Sequence, residues 1–375
     1  MINRLFIQFY SEVDGIIDIG NGFSDTYDYC KNIGDIVWID HSLKENILPI
    51  DTGEVYVSAV YLSHLFQVIL WAERYENINF IVGGPVLISD FLVQNDPLPP
   101  NLKMVKCSVE EHFGIPNFSY SWKLDVPKKL ENKIIHFCYI LDRDCYWHKC
   151  IFCPYKNQTV KFRNRKKLDF EFQNVDHKNM MVRIGTDSLT PRTIRSLIPN
   201  LPIDNKFKKY RAFLRATYDN AKALEEVLVE GFPIKFGIGV EFPVDRMLQF
   251  MRKGSTSIEI LKMLILLQEK KVCAHMNFIS GWNNLISEDL IQLEDFLKSM
   301  PKYDGFTYLI SRLTIFNNTI LNDICEKGEE IKVGPFSLGF YPKLNEEQKK
   351  LNDEATNMLL HYLDLKYKKM ITSTI

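Results

Sequence analysis

Apolar and polar positions along this 375-residue chain switch between two periods. Short apolar runs at 16–19, 36–39 and 55–60 have the length of buried strands. By contrast, 62–75 carries apolar residues three and four apart, the spacing of a helix that buries one face. Asn79-Phe80-Ile81-Val82 then stops at Gly83-Gly84-Pro85, as a buried strand does at a turn. This portion predicts half of an open α/β sheet of Rossmann type, and Asp96-Pro97-Leu98-Pro99-Pro100 predicts a loop.

A second alternation starts at Lys133. It predicts strands at 134–141, 180–185, 210–216, 234–241, 272–280 and 306–313, with helices clearest at 220–230, 257–270 and 287–299. Such repeated alternation requires parallel strands joined by right-handed crossovers, hence a partial barrel or an open parallel sheet. An amphipathic helix, 345–367, closes the chain. The expected division is an α/β domain over 1–126, a barrel over 127–330 and a C-terminal helical segment over 331–375.

Composition narrows the class. At 46% hydrophobic and 25% charged, with 18 Gly and 16 Pro, the chain has the profile of packed domains and not of disorder. Its 46 Lys and Arg balance 47 Asp and Glu, so no global field attracts a phosphate polymer or an anionic membrane. The longest apolar stretch, 57–72, is interrupted by Ser63, His64 and Gln67, and the N-terminus lacks a cleavage-site pattern. The expectation is a cytoplasmic protein with no membrane partner.

Eight cysteines stand at 30, 107, 138, 145, 150, 153, 273 and 325, expected as thiols or metal ligands. Three fall in Cys145-Tyr-Trp-His-Lys-Cys150-Ile-Phe-Cys153, a C-x4-C-x2-C spacing directly after a predicted strand. Thiolates so spaced can wrap one soft metal centre. A structural zinc site or an electron-carrying cluster takes four protein ligands, and the chain has no second C-x2-C. A [4Fe-4S] cluster on three cysteines keeps one iron open to a ligand. Zinc on these thiolates with His148 or His136, or inert buried thiols, are the alternatives the spacing leaves.

The loop and the segments after it resemble the radical S-adenosylmethionine (SAM) enzymes, and within them the branch with a cobalamin-binding-like N-terminal domain. The family usually carries C-x3-C-x2-C, so the extra residue between Cys145 and Cys150 is a departure, whereas Phe152 before the last cysteine fits. Phe236-Gly-Ile-Gly-Val-Glu241 resembles the family's G-x-E strand. The stretch 248–254, with Met251-Arg-Lys-Gly254, resembles the helix that comes next, and Asn277-Phe-Ile-Ser-Gly281 the later strand ending in F-I-x-G. The resemblance covers most of the chain and implies a partial (β/α)6 barrel.

It also implies chemistry. Cys145, Cys150 and Cys153 would hold the cluster, whose open iron chelates SAM, and one electron would release a 5'-deoxyadenosyl radical that abstracts hydrogen. Gly185, Thr186, Asp187 and Ser188 would face the methionine amino group; a helix N-cap ahead of Pro191 is the plainer reading. Glu241 would accept from ribose hydroxyls, or form a surface salt bridge. Arg215 and Arg252 are candidates for the methionine carboxylate. Alternation along 272–279 puts Cys273, His275 and Asn277 on one face, the lumen if the apolar set faces the helices. Asn277 would then lie near the adenosine, with Gly281 allowing close approach and Arg312 reaching the same mouth.

Val57-Ser58-Ala59 and Phe80-Ile-Val-Gly-Gly-Pro85 resemble the middle of a cobalamin-binding domain. The D-x-H-x-x-G loop is absent, since Asp40 and His41 are adjacent, so cobalamin is allowed but not favoured and the domain is expected to be vestigial or to recognise substrate. The leading expectation is hydrogen abstraction from a ribosomally made peptide, giving epimerisation, crosslinking or related change, with Cys325 or Cys273 returning hydrogen. Cobalamin-dependent methylation is the runner-up, and a noncatalytic metal-stabilised binding protein the reading from another class. Expected partners are a peptide or small-molecule substrate and an electron donor such as flavodoxin or ferredoxin. The basic run 161–167 reads as a solvated face, so nucleic acid is not expected.

Overall fold

The structure, a computed structural model, describes residues 4–13, 16–18, 27–40, 48–49, 53–59, 61–88, 92–107, 112–114, 126–140, 145–155, 179–203 and 207–369. The basic run 161–167 lies outside the described residues. Seven strands come first: β1 (Arg4–Val13), β2 (Ile16–Asp18), β3 (Asp35–Asp40), β4 (Gly53–Ser58), β5 (Ile78–Gly83), β6 (Val93–Gln94) and β7 (Leu102–Met104). Six more form the second half: β8 (Ile134–Ile140), β9 (Met180–Gly185), β10 (Phe207–Leu214), β11 (Ile234–Glu241), β12 (Cys273–Ser280) and β13 (Phe306–Arg312).

The N-terminal strands run parallel in the order β3-β1-β4-β5-β7. Alternation explains their core: Ile78, Phe80 and Val82 of β5 are buried against Trp71 and Val68 of the helix Leu62–Arg74. Strands β8 to β13 pair in chain order, every neighbour parallel. Their outward residues, among them Ile184, Ile238, Ala274, Met276 and Phe278, are fully buried beneath the surrounding helices. The helix Ser257–Glu269 shows why: Ile260, Met263, Leu264 and Leu267 repeat on one face, and Thr256 with Glu259 closes a capping box at its start.

The six strands make an open wall, the partial barrel expected from the sequence. β2 lies on its β8 edge, and β17 (Lys368–Lys369) on its β13 edge, the intervening β14 (Ile315–Phe316), β15 (Lys327–Val333) and β16 (Phe336–Pro342) forming a separate antiparallel sheet with β6. The run predicted at 16–19 therefore serves both halves: β1 turns antiparallel into β2, and β2 pairs parallel with β8, placing Asp18 opposite His136. The hairpin of β15 and β16 was not anticipated by the pattern, because β15 is mostly exposed and carries no alternating apolar face.

The helix Glu346–Lys366 anchors the loop after β12. Asn352, 6% exposed, accepts from Gly281 N–H at 2.9 Å and donates to the carbonyls of Trp282 at 2.7 Å and Gln348 at 2.8 Å. Among the described residues, no helix is long and apolar enough to cross a membrane. Replacing Asn352 by Leu strands the Gly281 donor and the Trp282 acceptor, each costing about 1–3 kcal/mol when buried without a partner. The expected result is a clear fall in the urea midpoint at unchanged slope; a wild-type midpoint would show that the helix does not hold this loop.

Candidate active site

The cysteine loop comes after β8, at the end of the wall where the parallel strands terminate. It is tied down from outside. Trp147 Nε1 donates to the Arg252 carbonyl at 2.8 Å, Ile151 N to the Met251 carbonyl at 3.1 Å, and Asn318 Nδ2 to the Pro154 carbonyl at 2.8 Å. Leu321 N donates to the Ile151 carbonyl at 3.0 Å. Phe152 stands edge-on to Trp282, centroids 6.0 Å apart, so the Asn352 clamp also reaches this loop.

Arg215, just past β10, is 6% exposed, and its guanidinium carbon lies 3.9 Å from the Trp147 ring centroid. Its NH2 group donates to the Lys253 carbonyl at 2.5 Å and the Gly254 carbonyl at 3.0 Å, and NH1 to Tyr146 Oη at 3.2 Å. Only Nε is left without a partner. Gly254 makes this stack possible: at φ +65° it accepts a left-handed turn, and a Cβ there would lie 2.1 Å from the Trp147 ring. Arg252, also left-handed at φ 54°, contributes its carbonyl while its side chain is exposed.

Behind the loop lies a buried ion pair, Lys253 Nζ to Glu241 Oε1 at 2.5 Å. The register of β11 on β12 slips between Gly239 and Glu241, and Glu241 takes φ 61°, so a bulge turns its carboxylate back over Gly239. A Cβ on Gly239 would lie 2.2 Å from that carboxylate oxygen. Burial works against the Lys253 ammonium, yet the carboxylate beside it and Cys150 hold its pKa above the ordinary lysine value. Glu241 thus forms a salt bridge, but an interior one, and its second oxygen takes no hydrogen bond from the described residues.

The three thiols feel one another. Burial pushes Cys153 up to about 12, with Cys150 and Cys145 adding to it, and burial raises Cys150 against the pull of Lys253 and Arg215. Among the described residues no three His, Cys, Asp or Glu side chains converge on one ion-sized point. Past β9, Thr186 and Ser188 are buried and Ser188 Oγ lacks a partner. The neighbouring helix Pro191–Leu197 is capped by Thr190, not by 185–188, so those residues are free of that duty. Asp187 is exposed, yet the protein crowded around it raises its pKa against the pull of Arg183.

On β12 the apolar set is buried and Cys273, His275 and Asn277 are half-buried on the lumen face, as the alternation requires. Asn277 reaches His275, whose Nδ1 lies 3.0 Å from Thr307 Oγ1. Gly281 is left-handed at φ +91° and gives its N–H to Asn352. Exposed Arg312 stacks over Tyr341 at 3.8 Å. Cys325 Sγ lies 3.6 Å from Asn283 Oδ1 on the mouth side, whereas Cys273 begins β12, about 20 Å of strand from its far end at a rise of about 3.3 Å per residue.

No family model matches the chain, and no curated protein matches its sequence. Among solved structures, the cobalamin-dependent SAM radical enzyme OxsB, with aqua-cobalamin and SAM bound, aligns at TM-score 0.64 and 13% identity over 96% of this chain and 67% of its own. The radical SAM methyltransferase TsrM from Kitasatospora setae, with tryptophan and a SAM analogue bound, aligns at TM-score 0.62 and 11% identity over 100% of this chain and 92% of its own. The chain has the radical SAM fold. It spans about two thirds of the length of OxsB.

Within the radical SAM fold, Cys145, Cys150, Cys153, Phe152, Arg215, Arg252 and Glu241 share one neighbourhood, Thr186 to Ser188 border it, and Arg312 and Cys273 stand apart. Sequence reasoning missed the roles of Trp147 and Lys253; the aromatic-basic content of the loop and the Lys-Gly pair ending 248–254 were the available signals. Glu241→Gln would leave the buried Lys253 ammonium without its carboxylate, and breaking such a pair by removing one partner costs about 3–5 kcal/mol. The variant is expected to lose that much in denaturant unfolding; full wild-type stability would exclude the interior pair.

Proposed function

We propose that the chain is a radical SAM enzyme: a [4Fe-4S] cluster on Cys145, Cys150 and Cys153 cleaves SAM, and a substrate carbon loses hydrogen to the resulting radical. One observation carries this reading. Three thiols on one clamped loop lie at the strand ends of a six-strand parallel wall, with Lys253 and Arg215 acting on Cys150. The donor set suits the cluster by its chemistry: three soft sulfurs on one loop, close enough that Cys150 and Cys145 both act on Cys153. When bound, the cluster supplies the electron that breaks the carbon–sulfur bond of SAM.

The chain's own residues prepare the site. Loading requires the thiols to lose their protons, and the two cations offset the negative charge that results. Trp147 and Phe152, both of the loop, pack on Arg215 and on buried Trp282 and shield part of the loop from water. Ser188 Oγ and Arg215 Nε remain as buried donors, and Asp187 and the second Glu241 oxygen as acceptors, for the amino acid and ribose parts of SAM.

The outcome has two readings. The sequence resemblance implies change within a ribosomally made peptide, with Cys325 at the mouth as hydrogen donor. Cobalamin-dependent methyl transfer is the other, supported by the likeness to OxsB, a cobalamin-dependent SAM radical enzyme, and to TsrM, a radical SAM methyltransferase. Anaerobic reconstitution tests the shared step: wild-type protein is expected to retain about four irons with sulfide and, given SAM and dithionite, to release 5'-deoxyadenosine, and Cys150→Ala to lose both. Protein that retains neither iron nor sulfide would falsify the proposal. Stoichiometric cobalamin in the absorption spectrum after desalting selects methyl transfer; its absence selects the peptide-type outcome.

A further inference from the structure

Below the cysteine loop the wall carries a row of cations. Strand register aligns Arg183 of β9 with Arg211 of β10, and Arg211 with Lys235 of β11. Lys209, two residues before Arg211 on the same face, adds a fourth charge, its Nζ 4.0 Å from Cys273 Sγ. Like charges directly opposite on neighbouring strands destabilise a sheet. Here the repulsion is written into three adjacent strands.

The row is not neutralised by its surroundings. None of the four cations has a carboxylate within ion-pair distance among the described residues, and the buried Nε atoms of Arg183 and Arg211 have no hydrogen-bond partner. The acids near it are Asp18, which is bonded to Tyr61 at 3.1 Å and sits 3.6 Å from His136, and Asp187, which faces Arg183. Burial and the neighbouring Arg211 and Lys209 depress Lys235 to about 8. Burial and Lys235 hold His275, one row nearer the mouth, at about 4, so that it faces the lumen as a neutral group. Among the described residues, four cations against two carboxylates leave an excess that a doubly charged anion would cancel, and a carboxylate only halve.

The row also adjoins the proposed reaction site. Asp187 lies within the fields of both Arg183 and Cys153, and Tyr155 within those of Cys153, Asp187 and Arg183. Gly237 and Gly239 line the wall above Lys235 without side chains of their own, Phe213 filling the space over Gly237.

We propose that Arg183, Arg211, Lys235 and Lys209 bind the phosphoryl group of a small phosphorylated substrate, which holds its reacting carbon toward the cysteine loop. This deepens the function proposed above and rests on it for the word substrate, but the anion site is testable alone. Of the peptide or small-molecule substrate expected from the sequence, it takes the small molecule.

The test uses cluster-loaded protein with neither SAM nor reductant, so its result does not depend on radical formation. Thermal unfolding is followed in inorganic phosphate, acetate and chloride at matched ionic strength. A ligand that binds only the folded state raises the midpoint as its concentration passes the dissociation constant. Phosphate is expected to stabilise wild type and Lys271→Gln, a surface control, whereas Arg211→Gln and Lys235→Gln bind it at least tenfold more weakly. In chloride alone these two variants are expected to unfold no lower than wild type, because a repelling charge has gone. Equal stabilisation by acetate, unchanged phosphate binding in the variants, or variants less stable than wild type in chloride would each overturn the proposal.

Discussion

The seat of the cysteine loop is one stack: the Trp147 ring on the Arg215 guanidinium, and that guanidinium on the carbonyls of Lys253 and Gly254. A nine-residue loop cannot by itself fix three sulfurs, since each free backbone residue costs on the order of 1–2 kcal/mol to order. The order is imported from β10, from the turn after β11 and, through Trp282 and Asn352, from the C-terminal helix. Two glycines are the condition for it. Gly254 admits the indole and Gly239 admits the ion pair behind it, and at both places any Cβ would collide. The left-handed backbone of Glu241 and Arg252 belongs to the same arrangement, strain tolerated where the surrounding contacts determine it.

Charge is distributed along the lumen with the same economy. Thiols and the Glu241–Lys253 pair occupy the mouth, neutral His275 and Asn277 the middle, and the Arg and Lys row the level below. Interactions between half-buried charges are screened less than surface ones. An elongated polar molecule therefore experiences one orientation as favourable, its anionic end away from the thiols. Such positioning accounts for a large part of what a protein contributes when a cofactor performs the bond cleavage.

Much of this was legible in the chain. The bounds of β9 and β11 coincide with the apolar runs at 180–185 and 234–241, because buried parallel strands are nearly continuous in apolar residues. The lumen face of β12 was set by strict alternation. The features that escaped are non-local. β2 is three residues long, and its pairing with β8 spans more than a hundred positions. The cation row was invisible because Arg183, Arg211 and Lys235 lie far apart in sequence, although Arg183 is the one charged residue of β9 and Lys235 the one cation of β11. That anomaly was the signal available. The Glu241–Lys253 pair needed the bulge at Gly239, which no periodicity announces.

The N-terminal sheet is the remaining question. Its resemblance to a cobalamin-binding domain leaned on Gly83-Gly84, yet a Cβ at Gly84 would sit 2.7 Å from the Ala59 carbonyl oxygen, and one at Gly83 3.1 Å from Val105. The chain's own packing demands these glycines. The crevice beside them, lined by Ser58, His112 and Phe113 among others, holds about 30 Å³, room for little more than a water molecule. Toward the barrel, by contrast, this half supplies Tyr61 and Asp18, and Tyr61 lies within the fields of Arg183 and Cys138 on the lumen wall. The N-terminal sheet thus has a task that requires no corrin ring, because it completes the open edge of the barrel where β8 would otherwise end unpaired.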